Sequence, residues 1–460
     1  MLTYVFFAFL GLSVMIALTD WRRGWIFAVL CGVLQDPARK LTPGMPVYLT
    51  LSILVVYAAI LFTAHRTLQL AIRDFARRFA KVWAAFAIFF LFLIIAAGNG
   101  LINFGIGFWK APIFSLLIYI APIPAIIFGY VYLQREEMLF DFFRFYSVTT
   151  SIALIGSVLE YLRIDFPALG MVLQQGDYIR HLPGVQIRMI SGFYRAPDMM
   201  AWHAATLTSI AIAMMVRGGM GRRTWPWMAA AAWGFFNCMI SGRRKAIYYV
   251  IVFTLVFVWR YLRRLKAAQV AAFVAAAIVL GLVVQRMSSN EESSVYTKGA
   301  LTTRQELAER LEGGVMETFR QFGIMGAGLG TATQGAQYFL SGDRSLSWQE
   351  GGLGKLAVEL GLPGLLAAAL FVIMGFRYML LITAQPDLPE TSQLGRVTLF
   401  GLVIANAANF AASAQAYSDP VLTLIAAFFA GCLFATAALD ERTAAVAPRP
   451  AQPVAAAATA

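Results

Sequence analysis

Arginine side chains grip phosphates and carboxylates, because the planar guanidinium stays charged and offers forked donors. Two of the places where they gather between long apolar runs in this chain could do such chemistry. The segment Arg188-Met189-Ile190-Ser191-Gly192-Phe193-Tyr194-Arg195-Ala196-Pro197-Asp198 is rich in turn formers and carries Arg188 and Arg195 seven residues apart. Farther on, Ser241-Gly242-Arg243-Arg244-Lys245 sets three adjacent cations between two apolar stretches. A charge held at membrane level costs about 2.5–3.5 kcal/mol on insertion scales, so cations kept there point to an anion to be bound. The plainer reading of each arginine is a solvated loop charge or a lipid-headgroup contact.

The elements that must position these side chains are helices in lipid. Of 460 residues, 60% are hydrophobic and 13% charged, and the mean hydropathy is +0.69. One soluble core could not hide so much apolar surface. A helical span needs about 20 apolar residues. Only helices and closed barrels satisfy their backbone groups in lipid, and these runs are too long and too uniformly apolar for barrel strands. The sequence therefore predicts an all-α, polytopic integral membrane protein. Spans are expected at about 2–18, 47–64, 82–98, 112–132, 144–162, 199–216, 225–241, 246–259, 268–285, 353–376, 397–414 and 420–439. Trp25–Leu34 is apolar but about ten residues long, either a tilted partial span or a re-entrant segment, so the expected count is twelve or thirteen. The N-terminal run from Met1 lacks a basic leader region and a small-residue cleavage site, and reads as a first span rather than a removed signal.

Orientation follows from the basic loops, since cytoplasmic loops carry the excess of Lys and Arg. Three clusters belong there: Arg66, Arg73, Arg77, Arg78 and Lys81; Arg217, Arg222 and Arg223; and Arg260, Arg263, Arg264 and Lys266. The loops 163–198 and 286–352 then face outward, as does the turn at 242–245, whose cations run against the positive-inside tendency. Arg39 and Lys40 lie outside too if Trp25–Leu34 spans, where they could hold a lipid phosphate. The tail from about Thr443 is Ala/Pro-rich and reads as disordered. The net charge of +13 would suggest nucleic acid in a soluble protein. Here it belongs to the cytoplasmic loops, and no basic patch is interleaved with aromatics outside the spans. Cys31, Cys238 and Cys432 lie in separate apolar segments with no metal spacing and no disulfide framework.

The second outer loop is the longest polar stretch. Leu301–Arg320 has the mixed charge and apolar spacing of a surface helix. Gly323-Ile324-Met325-Gly326-Ala327-Gly328-Leu329-Gly330 follows. No strand precedes this run and no Gly-Lys-Ser/Thr ends it, so a close-packed turn is favoured over a nucleotide loop. Glu350 stands just before the apolar run from Leu353.

Taken in order, several of these segments resemble the O-antigen ligase and Wzy-type O-antigen polymerase superfamily. Arg188-x-x-x-Gly192-Phe193 with Pro197-Asp198 is similar to its first outer-loop segment, and Ser241-Gly242-Arg243 to its Ser-x-Arg turn. Thr303-Arg304 resembles its second-loop arginine, Gly326-Ala327-Gly328-Leu329-Gly330 its Gly-x-Gly-x-Gly loop, and Gly361-Leu362-Pro363-Gly364 its Gly-Leu-Pro-Gly. The likeness covers about 185–376. The ligases have a His-Asn pair nine residues before the Gly-x-x-Gly motif, where this chain has Glu350-Gly351. Its three histidines, His65, His181 and His203, do not substitute by position. That departure favours a polymerase over a ligase.

The resemblance implies a GT-C-like membrane glycosyltransferase with two large periplasmic loops in a bacterial cytoplasmic membrane, its active face periplasmic or extracellular. It would polymerise polysaccharide repeat units, of O-antigen or exopolysaccharide, from undecaprenyl-diphosphate-linked donors. It would work among membrane lipids, with a chain-length regulator and a flippase as further partners. The alternatives are a ligase-like transferase of finished glycan and a flippase or transporter, for which Glu160, Asn237, Asn406 and Asn409 would be the intramembrane polar groups. On the polymerase reading Arg188, Arg195, Arg243, Arg244 and Arg304 hold the diphosphate, Arg188, Arg243 and Arg304 foremost. Glu350 is the candidate base, and neither metal nor organic cofactor is called for. Residues 1–185 would form N-terminal spans, 186–376 the catalytic region, 377–440 C-terminal spans and 441–460 a tail.

Overall fold

The computed structural model describes residues 2–170, 179–182, 185–219, 221–261, 315–333, 351–385 and 388–446. It is a helical bundle. In chain order the helices are α1 (Leu2–Thr19), α2 (Trp21–Lys40), α3 (Ser52–Thr63), α4 (His65–Arg78), α5 (Ala80–Phe104), α6 (Lys110–Ile120), α7 (Pro122–Tyr132), α8 (Glu136–Ala153) and α9 (Ile155–Tyr161). They continue with α10 (Pro197–Gly218), α11 (Trp225–Ile240), α12 (Arg244–Tyr261), α13 (Gly352–Thr383), α14 (Glu390–Ala412) and α15 (Pro420–Val446). A two-stranded antiparallel hairpin, β1 (Ile179–Leu182) and β2 (Val185–Arg188), lies in the loop before α10.

The chain is a multi-pass membrane protein. Among the described residues seven helical segments are long and apolar enough to cross a bilayer: Ala80–Phe104, Lys110–Tyr132, Glu136–Tyr161, Pro197–Gly218, Gly352–Thr383, Glu390–Ala412 and Pro420–Leu439. The bent pair Val47–Thr63 and His65–Arg78 makes an eighth if taken as one span. Where spans were expected near the N-terminus and between 225 and 259 the structure has helices, α1, α11 and α12, of 18, 16 and 18 residues, which fall outside that set. The span expected at 268–285 lies outside the described residues.

Several boundaries differ from the sequence expectation. Trp25–Leu34 is the middle of a continuous 20-residue helix, α2. Its start is capped by Asp20, whose carboxylate accepts from the backbone amides of Arg22 at 2.9 Å and Arg23 at 3.2 Å. Local capping extends the helix through charged ends that hydropathy alone discounts. The chain bends by 80° between α3 and α4. Helix α4 buries Leu68, Ala71 and Phe75 on one face while Arg66, Arg73 and Arg77 stay exposed on the other, the pattern of a helix lying along a surface. The 242–245 turn is shorter than expected, since Arg244 and Lys245 already belong to α12.

Close helix approach rests on small residues, as van der Waals packing in lipid requires. Helix α7 crosses α15 where Gly129 faces the Phe428 carbonyl and Gly431 faces the Ile126 carbonyl, and a methyl group at either position would overlap that oxygen. Gly431→Val should lower the thermal unfolding temperature in detergent by several degrees, an overpacking cost of about 1–3 kcal/mol. An unchanged melting temperature would show that this crossing gives way freely. Inside the bundle, Trp202 donates to Asn406 Oδ1 at 2.8 Å, and Asn406 donates to Tyr249 at 2.9 Å. Asn406 thereby links α10, α12 and α14 as a bonded structural group.

The alternating helices sort the loops. Lys40, Ser191–Asp198, Ser241–Lys245 and the 413–419 connection meet at one end. Arg22, Arg23, the α4 cluster, Arg217, Arg222, Arg223 and Arg260 lie at the other.

Candidate functional site

The first end is built around the chain that leaves β2. Arg188 is the last residue of β2, paired with Ile179. The following segment turns at Gly192, which has φ 59° and where a methyl group would lie 2.5 Å from the Ser157 amide nitrogen. Only glycine fits such a turn. Glu160, at the end of α9, holds the turn: one carboxylate oxygen accepts from the amides of Gly192 at 2.6 Å and of Ser191 and Gly170 at 3.2 Å each. From the other side the Lys40 ammonium donates to the carbonyls of Gly192 at 2.7 Å and Tyr194 at 2.6 Å. Phe193 packs on Gly156, where any side chain would collide with its ring.

This turn delivers two charged residues. The Arg195 backbone amide donates to Asp36 at 3.0 Å, and its guanidinium pairs with Asp419 at 2.6 Å. Asp198 lies in the first turn of α10, where a carboxylate is favoured by the exposed amides. It receives the Arg243 guanidinium at 2.8 Å and the Lys245 ammonium, and Lys245 also donates to Ser413 at 3.0 Å. The Ser-Gly-Arg turn has a reason at each position. The Ser241 hydroxyl accepts from the Arg243 amide at 3.1 Å. Gly242 has φ 66°, and a methyl there would lie 3.0 Å from Ile187 Cγ2 and 3.3 Å from Met189 Cγ. The residues flanking Arg188 therefore pack directly on the residue before Arg243.

Electrostatically this end is cationic. Among the described residues it gathers Arg39, Lys40, Arg188, Arg195, Arg243, Arg244 and Lys245 against Asp36, Glu160, Asp198 and Asp419. Burial pushes the Asp419 carboxyl above the usual carboxylate range, and the neighbouring Asp36 adds to this. Arg195 and the amides of Val421 and Leu422 pull it back. The Tyr194 phenol is likewise raised, first by burial and then by Asp36. A cluster with more cations than carboxylates, half sunk in a membrane protein, is suited to receive a polyanionic group at its surface.

Of the site residues predicted from sequence, Arg188, Arg195, Arg243 and Arg244 are brought to this one end. Arg304 and Glu350 lie outside the described residues. The carboxylate partners were missed. Nothing in the spacing of Asp198 or Asp36 announces Arg243, Lys245 or the Arg195 amide. Asp419 could have been found as an Asp-Pro at the head of an apolar run, where it caps α15 by accepting from Val421 at 2.6 Å.

The glycine run is a structural anchor rather than a ligand cradle. Helix α13 breaks at Gly361, which has φ 65°. There the Leu362 amide donates to Ile324 at 2.8 Å, and the Val358 carbonyl accepts from Ala327 at 2.7 Å. Asn99 and Asn103 of α5 donate to Gly326 at 3.0 Å and Ala327 at 3.1 Å. Beneath the loop lies Glu359, fully buried in α13. It accepts from Thr333 and Tyr119 at 2.6 Å each, Gly330 at 3.2 Å and Ala332 at 3.3 Å. An apolar span carrying a lone carboxylate was the available signal for Glu359. Compared with protein-family models and with curated proteins, the chain matches none.

Proposed function

We propose that this chain is a membrane glycosyltransferase that polymerises polysaccharide repeat units from undecaprenyl-diphosphate-linked donors at the outer face of a bacterial cytoplasmic membrane. The observation that carries the reading is the meeting of the Arg188 strand end with the Arg243 turn, beside Arg195 and Lys245, at the end of the bundle opposite its basic loops. Under the positive-inside tendency that end is the outer one. Twelve or more spans in a GT-C-like arrangement belong to the same proposal, as does the kinship with O-antigen polymerases.

In the proposed reaction an acceptor sugar hydroxyl attacks the donor's anomeric carbon. The bond from that carbon to the diphosphate oxygen breaks with its electron pair, and the hydroxyl proton passes to a base, for which Glu350 is the candidate. The new negative charge appears on the departing diphosphate. Fixed guanidinium groups stabilise it there without reorganising. The paired carboxylates fit this role, because Asp198 and Asp419 hold the cations in place while leaving the cluster net positive.

The test is the length of cell-surface polysaccharide in a deletion strain. Loss of a polymerase leaves single repeats on the lipid carrier at the outer face. Long chains left unattached would instead make the protein a ligase, and single units trapped inside would make it a flippase.

A further inference from the structure

At the opposite end of the bundle lies a second feature, which the glycan reading does not use. Helices α5, α7, α13 and α14 enclose a cleft of about 210 Å³ whose lining includes Val82, Ile126, Phe371, Gly375, Met379 and Ile404. All of its lining residues are apolar, and Val372 and Phe376 on its rim are exposed to the surroundings of the bundle. In water such a groove would be a liability; in a bilayer it is a seat for a hydrocarbon chain. Phe75 of α4 and Val82 of α5, both buried, also line it.

Three of the six residues between those two are basic. Arg77 and Arg78 end α4, Lys81 stands in the first turn of α5, and Arg73 lies one turn back. Arg73, Arg77 and Lys81 are exposed. The single carboxylate on this stretch, Asp74, is held by Arg78 at 2.9 Å and by the Tyr130 hydroxyl at 2.6 Å, with the exposed Arg77 at the edge of pairing distance, 3.9 Å. The 80° bend turns α4 with its apolar face inward, so its cations flank the lining residues Phe75 and Val82, at the headgroup level that a surface helix of this kind takes.

We infer that this corner is a binding site for one anionic glycerophospholipid, its phosphate against Arg73, Arg77 and Lys81 and an acyl chain in the groove. Charge complementarity selects the occupant: an apolar groove alone would take any chain, but a basic rim at headgroup level discriminates by charge. The inference is independent of the proposed glycan transfer.

The test is native mass spectrometry of the full chain released from detergent with added phosphatidylglycerol or phosphatidylcholine. Phosphatidylglycerol should be retained at least about tenfold better. The triple variant Arg73→Gln, Arg77→Gln, Lys81→Gln, all on exposed positions, should remove that preference. Gly375→Leu should reduce retention of both lipids while the thermal unfolding temperature is unchanged, because a methyl at Gly375 meets no atom within 4 Å. Equal retention of the two lipids by the wild type would overturn the inference. So would Gly375→Leu protein that binds phosphatidylglycerol normally, or a polyprenyl phosphate that occupies the groove where phosphatidylglycerol does not.

Discussion

Cells producing Arg243→Ala protein should carry single repeats and no polymer, with the protein still abundant in the membrane. Arg188→Ala should do the same. Removing one donor aimed at a developing oxyanion typically costs about 10²–10³ in rate. The fold should survive the first change, because Asp198 keeps Lys245 as its partner when Arg243 is gone. Arg243→Lys is the informative companion. It keeps the charge but not the fork, and should recover only part of the polymer. The readout is a size ladder of surface polysaccharide set against membrane abundance by immunoblot. Normal chain length in either alanine variant would place the diphosphate elsewhere.

A loss of folded protein rather than of activity is expected from Glu359→Ala. Four donors converge on this fully buried carboxylate, from the loop at 330–333 and from Tyr119. Deleting it orphans all of them in an apolar interior, and each buried donor left unsatisfied typically costs about 1–3 kcal/mol. Glu359→Gln keeps the shape and one acceptor oxygen, so it should lose markedly less. Thermal unfolding in detergent, or the amount of inserted protein, measures both. A Glu359→Ala protein that melts with the wild type would mean the loop is held by its backbone bonds alone.

Hydropathy made the helical architecture legible because lipid imposes one rule on every span. It failed where capping or bending decides. Asp20 extends α2 beyond its apolar middle, and the bend at Ala64 ends the span expected at 47–64 and makes a separate helix of the basic stretch after it. The arginines of the site could be named because guanidinium at membrane level is conspicuous in sequence. Their carboxylate partners could not. Asp36, Asp198 and Asp419 come from segments more than 150 residues apart in the chain, and only packing brings them together. The hairpin carrying Arg188 was also invisible, since its two four-residue strands bear no long alternation. The glycine run was legible as a close-packed turn, but its clamp at Glu359 was not.

The interruption at Gly361 bears on how the site keeps its height in the bilayer. Between helices in lipid the contacts are mainly van der Waals packing, with no hydrophobic force driving one against another. Helix α13 gives up one of its own backbone bonds there and makes two with the 324–327 segment, which Asn99 and Asn103 fasten to α5. Such a stitch has a single permitted setting, and a slip by even one residue would leave amides and carbonyls bare in hydrocarbon. The ledge formed by α5, the loop and α13 is thus pinned at a single relative height.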